Sequence, residues 1–392
     1  MKKLTNIILF LWVVLCVSDW AVTFGYTHFL IVGRAIRFMV ILLSLSIIFF
    51  WGRVKPNKFP FTSILITIAG ICFFYIFTGV YLDESAYEYS KLLLWVSEAL
   101  ALYILARNGK LTCELFEKTY SYVAWIATGA TILYAVVLPD MFSEEYNASA
   151  YLLTFALPGL FLDSNRMTKK WLTKAVALLG IFITLKKGAL LCAGTGLTAY
   201  ICLYNIHHFT YKKLVYSAFT LLFGGVVTIV VLFTQADRIE ERFSTKGLNR
   251  SVGGREGMYL FLYKRWQNAD KFTYIFGYGD RAETWLAGPN RRTVAHSDIY
   301  GRLHNNGLVG GLMIFLLHLG FFLCYWKLRQ TPYAYSTIMA WIIFMGASVF
   351  SGTFYEPNSA FLYNSIAVGC GIYDWGKENL VNTNNLRARV AG

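Results

Sequence analysis

The chain has 392 residues, 56% of them hydrophobic and 15% charged, with a formal net charge of +14. So apolar a composition, with apolar runs recurring along the whole length, excludes a soluble globular domain and fits an integral membrane protein. Most of the basic residues fall in short loops between apolar runs, which argues against a nucleic-acid-binding face and follows the positive-inside rule.

At about 20 apolar residues per crossing, twelve helices are expected, near 5–25, 33–51, 61–82, 91–106, 119–138, 148–164, 171–185, 188–205, 213–234, 299–325, 333–351 and 358–375. Met1-Lys2-Lys3 ahead of the first run resembles a signal peptide. That run is long for one, and no small-residue cleavage site stands near Asp19-Trp20, so a retained first helix is expected. The stretch 171–205 divides at Lys186-Lys187-Gly188, because two lysines in mid-span cost more than a break that brings them to a surface. The expected fold class is an all-α polytopic integral membrane protein. It forms a single domain over 1–392, with one large extracytoplasmic loop at 235–298.

Loop charge sets the orientation. Arg53, Lys55 and Lys58, then Arg107 and Lys110, then Arg166, Lys169 and Lys170, then Lys212 and Lys213, then Lys327 and Arg329 fall in alternate loops. The intervening loops carry Asp83, Glu84 and Glu88, then Asp140, Glu144 and Glu145, then Glu356. Both termini are therefore expected in the cytoplasm and 235–298 outside. Two outer segments break the rule: the Lys186-Lys187 turn, and the long loop with Arg238, Arg242, Arg250, Arg255, Arg265, Arg281, Arg291 and Arg292. Cations exported against the usual bias suggest an anionic ligand, although long loops translocate whatever their charge.

Within the loop, Ser251-Val252-Gly253-Gly254-Arg255 reads as a flexible turn feeding an amphipathic helix in which Met258, Phe261, Leu262 and Trp266 share a face. Arg255 at its start would favour phosphate, or else be a solvated surface arginine. Gly277-Tyr278-Gly279 shapes the loop. No nucleotide-binding, HExxH or paired CxxC motif occurs, and the seven cysteines lie mostly in apolar runs, so no metal site and no cofactor is expected. A histidine side chain ordinarily titrates near neutrality, and His296 stands two residues before Asp298, which would orient it or cap the next helix. His304 lies one to two turns further in, where it would line the same site, or else share a packing layer with Asn305 and Asn306, while His207, His208 and His318 read as ordinary loop or span residues.

His296-Ser297-Asp298, followed by Gly307 and Gly310 within Ile299–Gly311, resembles the signature of the O-antigen ligase and polymerase superfamily. Lys186-Lys187-Gly188-Ala189 is similar to that family's Ser/Thr-Arg-Gly-Ala turn, and Gly254-Arg255 with Trp266 to its Gly-Arg…Trp element. The likeness covers roughly residues 170–325. Lys187 stands where arginine is usual, giving a point charge in place of a fork, and Ser297 where asparagine is usual. The resemblance implies a GT-C-like fold and a metal-independent, inverting glycosyltransferase of the bacterial inner membrane, working on its periplasmic side. The donor would be an undecaprenyl-diphosphate-linked glycan, and the acceptor a saccharide or lipid A-core. His296 would be the base, with Arg255 and Lys187 stabilising the diphosphate and Lys186, Arg291 and Arg292 binding it. Membrane lipid and a chain-length regulator or flippase would be its partners, and nucleic acid would not.

A polymerase of lipid-linked repeat units is the expected activity, with the ligase as runner-up. A transporter or flippase would instead carry ionisable residues buried at mid-span or broken helices in two related halves. No internal repeat is evident, and Asp19, Arg34 and Arg37 stand near span ends.

Overall fold

The structure, a computed structural model, describes residues 2–23, 29–51, 59–78, 82–137, 147–166, 170–207, 257–280, 282–285 and 296–391. The expected crossing at 213–234, together with Arg255, Arg291 and Arg292, lies outside these residues.

Every regular element among the described residues is helical. In chain order they are α1 (Lys2–Thr23), α2 (Phe29–Trp51), α3 (Thr62–Thr78), α4 (Leu82–Arg107), α5 (Cys113–Val137), α6 (Asn147–Leu160), α7 (Trp171–Ile183) and α8 (Lys187–His207). There follow α9 (257–267), α10 (Lys271–Phe276), α11 (Asp298–Leu328), α12 (Ala334–Phe350) and α13 (Ala360–Ala391). Among the described residues, four helical stretches are long and apolar enough to cross a membrane: Ile31–Phe50, Ala86–Arg107, Lys187–His207 and Asp298–Leu328. The outward faces of these and of the shorter apolar helix α3 agree with that. Ile31, Leu42 and Phe49 on α2, Phe74 and Phe77 on α3, and Phe315 and Trp326 on α11 are exposed. So much apolar surface is at home in lipid and a liability in water.

The break expected inside 171–205 is present: α7 ends at Ile183 and α8 begins at Lys187. Thr184 Oγ donates back to the Ile181 carbonyl, and Leu185 takes a left-handed φ of 51°, which turns the chain before the lysines.

The core is organised around α4, on which Leu92, Trp95, Ala99, Leu102 and Tyr103 are all buried. Trp95 stacks on Tyr363 of α13 at 4.2 Å and donates to the Phe354 carbonyl. Helices α8 and α12 run antiparallel along a seam of small residues: Gly196 lies against Ile343 and Met339, and Gly346 against Cys192. A methyl group at either glycine would collide with its neighbour, so the close approach depends on their lacking one.

The two ends of the bundle differ. At one end Arg107 pairs with Glu378 (2.6 Å), Lys327 with Asp374 (2.7 Å), and Arg166 with Glu117 (3.7 Å). Ser164 N–H donates there to the Pro332 carbonyl. These are the residues that the charge pattern groups on one side of the membrane. The start of α11, the end of α3 and the start of α8 lie at the other end.

Candidate active site

Residues 298–306 at the start of α11 are largely polar yet buried, so each polar group needs a partner within the protein. Arg302 finds its partners in the segment after α10 and the turn after α12. Its guanidinium bonds Asp280 Oδ1 and Asn306 Oδ1, both at 2.9 Å, and lies over the rings of Phe354 (5.1 Å) and Tyr355 (4.7 Å). Tyr355 Oη donates to the other oxygen of Asp280 at 2.7 Å. Asn305 donates from Nδ2 to Glu283, while its Oδ1 accepts the Glu283 N–H and faces His304 Nδ1 at 2.9 Å. Because Asn305 Oδ1 is an acceptor here, His304 carries its proton on Nδ1. Its Nε2 is buried without a hydrogen-bond partner among the described residues, and its ring stacks on Tyr278 at 4.8 Å. From its sequence position His304 is expected beside the site; in the structure it is fully buried within this network.

Gly307 ends the polar segment. Its φ of 60° and ψ of −146° are not helical, and a Cβ there would come within 2.5 Å of the Ile275 carbonyl. Leaving the helical path exposes carbonyls of the preceding turn, and three successive ones take outside donors. The His304 carbonyl accepts Tyr278 N–H (3.1 Å), that of Asn305 accepts Gly279 N–H (3.0 Å), and that of Asn306 accepts Tyr75 Oη (3.3 Å). The Gly-Tyr-Gly segment therefore does shape the loop, and it does so by completing the kinked helix. Gly277, at φ 78°, lets the backbone pass within contact of Asn305.

Asp298 is buried and binds the turn after α12. Its Oδ2 accepts from Thr353 N and Oγ1, both at 2.6 Å, and its Oδ1 from Phe354 N at 3.0 Å. This tie between α11 and residues 353–354 is a role that the sequence reading, which expected a cap or an imidazole partner, did not assign. The N-cap is Ser297, whose hydroxyl donates to the Ser348 carbonyl rather than to its own helix.

His296 is exposed and has a left-handed φ of 47°, uncommon for a residue with a Cβ and a sign of local strain. Its carbonyl accepts Tyr259 Oη (3.1 Å), which also reaches the Val349 carbonyl (3.5 Å). The antiparallel seam of α8 and α12 runs Gly196 to Ile343 and Cys192 to Gly346, so the half-buried Lys186 and Lys187 arrive at the last turn of α12. Ser297 and Tyr259 bond that same turn. Lys186, Lys187 and His296 thus share one end of the bundle, and each segment enters its helix through a left-handed residue, Leu185 or His296.

Helix α9 lies across this end. Leu262 and Trp266 are buried, and Trp266 donates to the Tyr274 carbonyl at 2.9 Å. Phe261, expected on the same face, points outward with Leu260 and Tyr263. Two features escaped the sequence reading. One is the Asp280–Arg302–Tyr355 cluster, whose members lie 22 and 53 residues apart and show no spacing signal. The other is Glu98, fully buried in the middle of α4 beside Asn364 of α13, with no cation near it among the described residues. Glu98 is an ionisable group at mid-span that the reading of Asp19, Arg34 and Arg37 as span-end residues did not include.

No protein-family model matches the chain, and no curated protein matches it.

Proposed function

We propose that the protein is a glycosyltransferase that moves a glycan from an undecaprenyl-diphosphate donor to a saccharide acceptor outside the cytoplasmic membrane, acting as a surface-polysaccharide polymerase. In this reading the bundle makes twelve crossings with both termini inside, and the end that carries His296 is periplasmic. His296 takes the proton of the acceptor hydroxyl. The freed oxygen attacks the anomeric carbon from the face opposite the diphosphate, the bond to the diphosphate oxygen breaks, and the configuration inverts. Lys187 and Arg255 offset the charge that develops on the leaving diphosphate, with Lys186, Arg291 and Arg292 binding it.

The observation that carries the reading is the convergence of Lys187 and His296 on the last turn of α12, through the α8–α12 seam and the Ser297 and Tyr259 bonds. A lysine-bearing turn and a histidine-bearing turn at one end of an apolar bundle fit what transfer from a lipid-borne diphosphate needs. The test is His296→Ala in cells, with membrane expression verified and surface polysaccharide resolved on a gel. Collapse of long chains to single units is the expected result, with Lys187→Arg retaining chains. Normal long chains in His296→Ala would overturn the mechanism. Lipid-linked polymer stranded off the core would assign the ligase instead.

Glu98 favours a second reading, transport of a lipid-linked or charged substrate, because a carboxyl buried at mid-span marks substrate or proton paths. Glu98→Gln separates the two. A transferase keeps its chain lengths, whereas a transporter loses export altogether.

A further inference from the structure

At the end of the bundle opposite His296, a cleft of about 610 Å³ opens between the end of α11 and α13, lined by Trp326, Lys327, Arg329, Tyr373, Asp374 and Lys377 among others. Its carboxylates are already engaged. Asp374 accepts from both Tyr103 Oη and Lys327 Nζ at 2.7 Å, and Glu378 from Arg107 at 2.6 Å. Arg329 and Lys377 have no ion pair among the described residues. The four cations Arg107, Lys327, Arg329 and Lys377 face two acids, which leaves two positive charges at the cleft.

The remaining walls suit an interface between water and lipid. Arg329 lies over the Trp326 ring, 4.0 Å from its centroid, and donates to the Trp326 carbonyl, so its position is set by the aromatic surface and not by an acid. Trp326 is itself exposed, and an outward apolar stripe of Leu323, Phe322 and Phe315 leads from it along α11. Gln330 and Thr331 add polar groups at the mouth. A cleft of this volume is in the range that holds a small headgroup. A phosphate fits the spare cations, polyol hydroxyls fit the polar mouth, and acyl chains fit the stripe. A zwitterionic headgroup would bring its own cation to a site already in positive excess.

We propose that this cleft binds the phosphate headgroup of an anionic glycerophospholipid, with Arg329 and Lys377 as the recognising cations and the acyl chains lying along Phe322 and Phe315. The proposal rests on reading this end as the cytoplasmic one, where juxtamembrane basic residues meet anionic lipid. It does not depend on the transfer chemistry.

The test is native mass spectrometry of the detergent-purified full chain with phosphatidylglycerol or phosphatidylcholine added. The wild-type protein should retain phosphatidylglycerol in preference by on the order of tenfold, and Arg329→Ala/Lys377→Ala should lose that preference. Both side chains are exposed, Arg329 at the C-cap of α11 and Lys377 within α13. Lys118→Ala, which removes an exposed cation at the same end, should keep the preference, as should His296→Ala. Equal retention by the double variant and the wild type would overturn the proposal. So would an equal loss in Lys118→Ala, which would mean unspecific attraction. Displacement of the bound lipid by free glycerol phosphate at the lipid's own concentration would mean a water-borne ligand and would also end the lipid assignment.

Discussion

Helix α11 contains two regions built on opposite principles, joined at Gly307. Before the glycine, Asp298, Arg302, His304, Asn305 and Asn306 are buried and held by bonds to residues 278–283 and 353–355. After it, Met313, Leu317, Phe321 and Cys324 are buried in an apolar core, and Phe321 stacks on Phe344 at 4.8 Å. Apart from the local Arg302–Asn306 and His304–Asn305 contacts, the polar partners of the first half lie far away in sequence, so losing one leaves a buried group unsatisfied. In the second half contacts are many and individually weak, and a neighbour can relax into a small gap. The same helix is therefore brittle where it is polar and forgiving where it is apolar.

The sharpest way to break this contrast is Arg302→Met. Removing the guanidinium strands Asp280, leaving it buried with Tyr355 as its remaining bonded partner in this cluster, a loss on the order of 3–5 kcal/mol. Thermal unfolding in detergent should show it as a large drop in midpoint. Asp280→Asn in the same chain should recover part of the loss, since it removes the orphaned charge. If Arg302→Met unfolds at the wild-type temperature, the network does not hold α11 in place.

Phe321→Leu probes the apolar half. It keeps an apolar side chain of smaller volume among Phe61, Phe344 and Tyr363, and the expected cost is about 1 kcal/mol. The same unfolding assay should place it well above Arg302→Met. A reversal of that order would mean that packing, and not the hydrogen-bonded half, limits stability.

The smallest expected effect lies outside the bundle, at Asp270, which caps α10. The Thr273 hydroxyl and the Thr273 and Phe272 amides donate to its carboxylate, and these bonds hold it below the usual carboxylate range. A depressed folded value means that the cap is intact above the ordinary carboxylate range and is lost as pH falls through the folded value. Hydrogen exchange of the 271–276 amides should therefore quicken in acid beyond the intrinsic rate. Asp270→Asn should flatten that dependence while keeping a side-chain acceptor. An unchanged pH dependence in Asp270→Asn would remove the carboxylate from the account.

The residues that entered the sequence reading did so through local rules. Apolar runs of membrane length mark the helices: eleven of the twelve expected stretches are helical over most of their length, the other lying outside the described residues. Lys186-Lys187 marked its own break, because charge at mid-span is expensive wherever the chain goes. Trp266 and Leu262 marked the buried face of α9 by their spacing, though Phe261 did not follow. The second glycine of Gly277-Tyr278-Gly279 and Gly307 were visible as glycines, but not as parts of one joint.

What the amino-acid order determined alone is the set of apolar helices, their alternating loop charge and the places where they must stop, since each depends on transfer energies and backbone geometry over a few neighbouring residues. Only the tertiary structure decided that Asp280 and Tyr355 neutralise and cradle Arg302, that Asp298 ties down Thr353, and that the openings of α8 and α11 reach the same turn. Those pairings join residues far apart along the chain. They exist because buried polar groups must find partners wherever packing brings them, and no local pattern encodes that requirement.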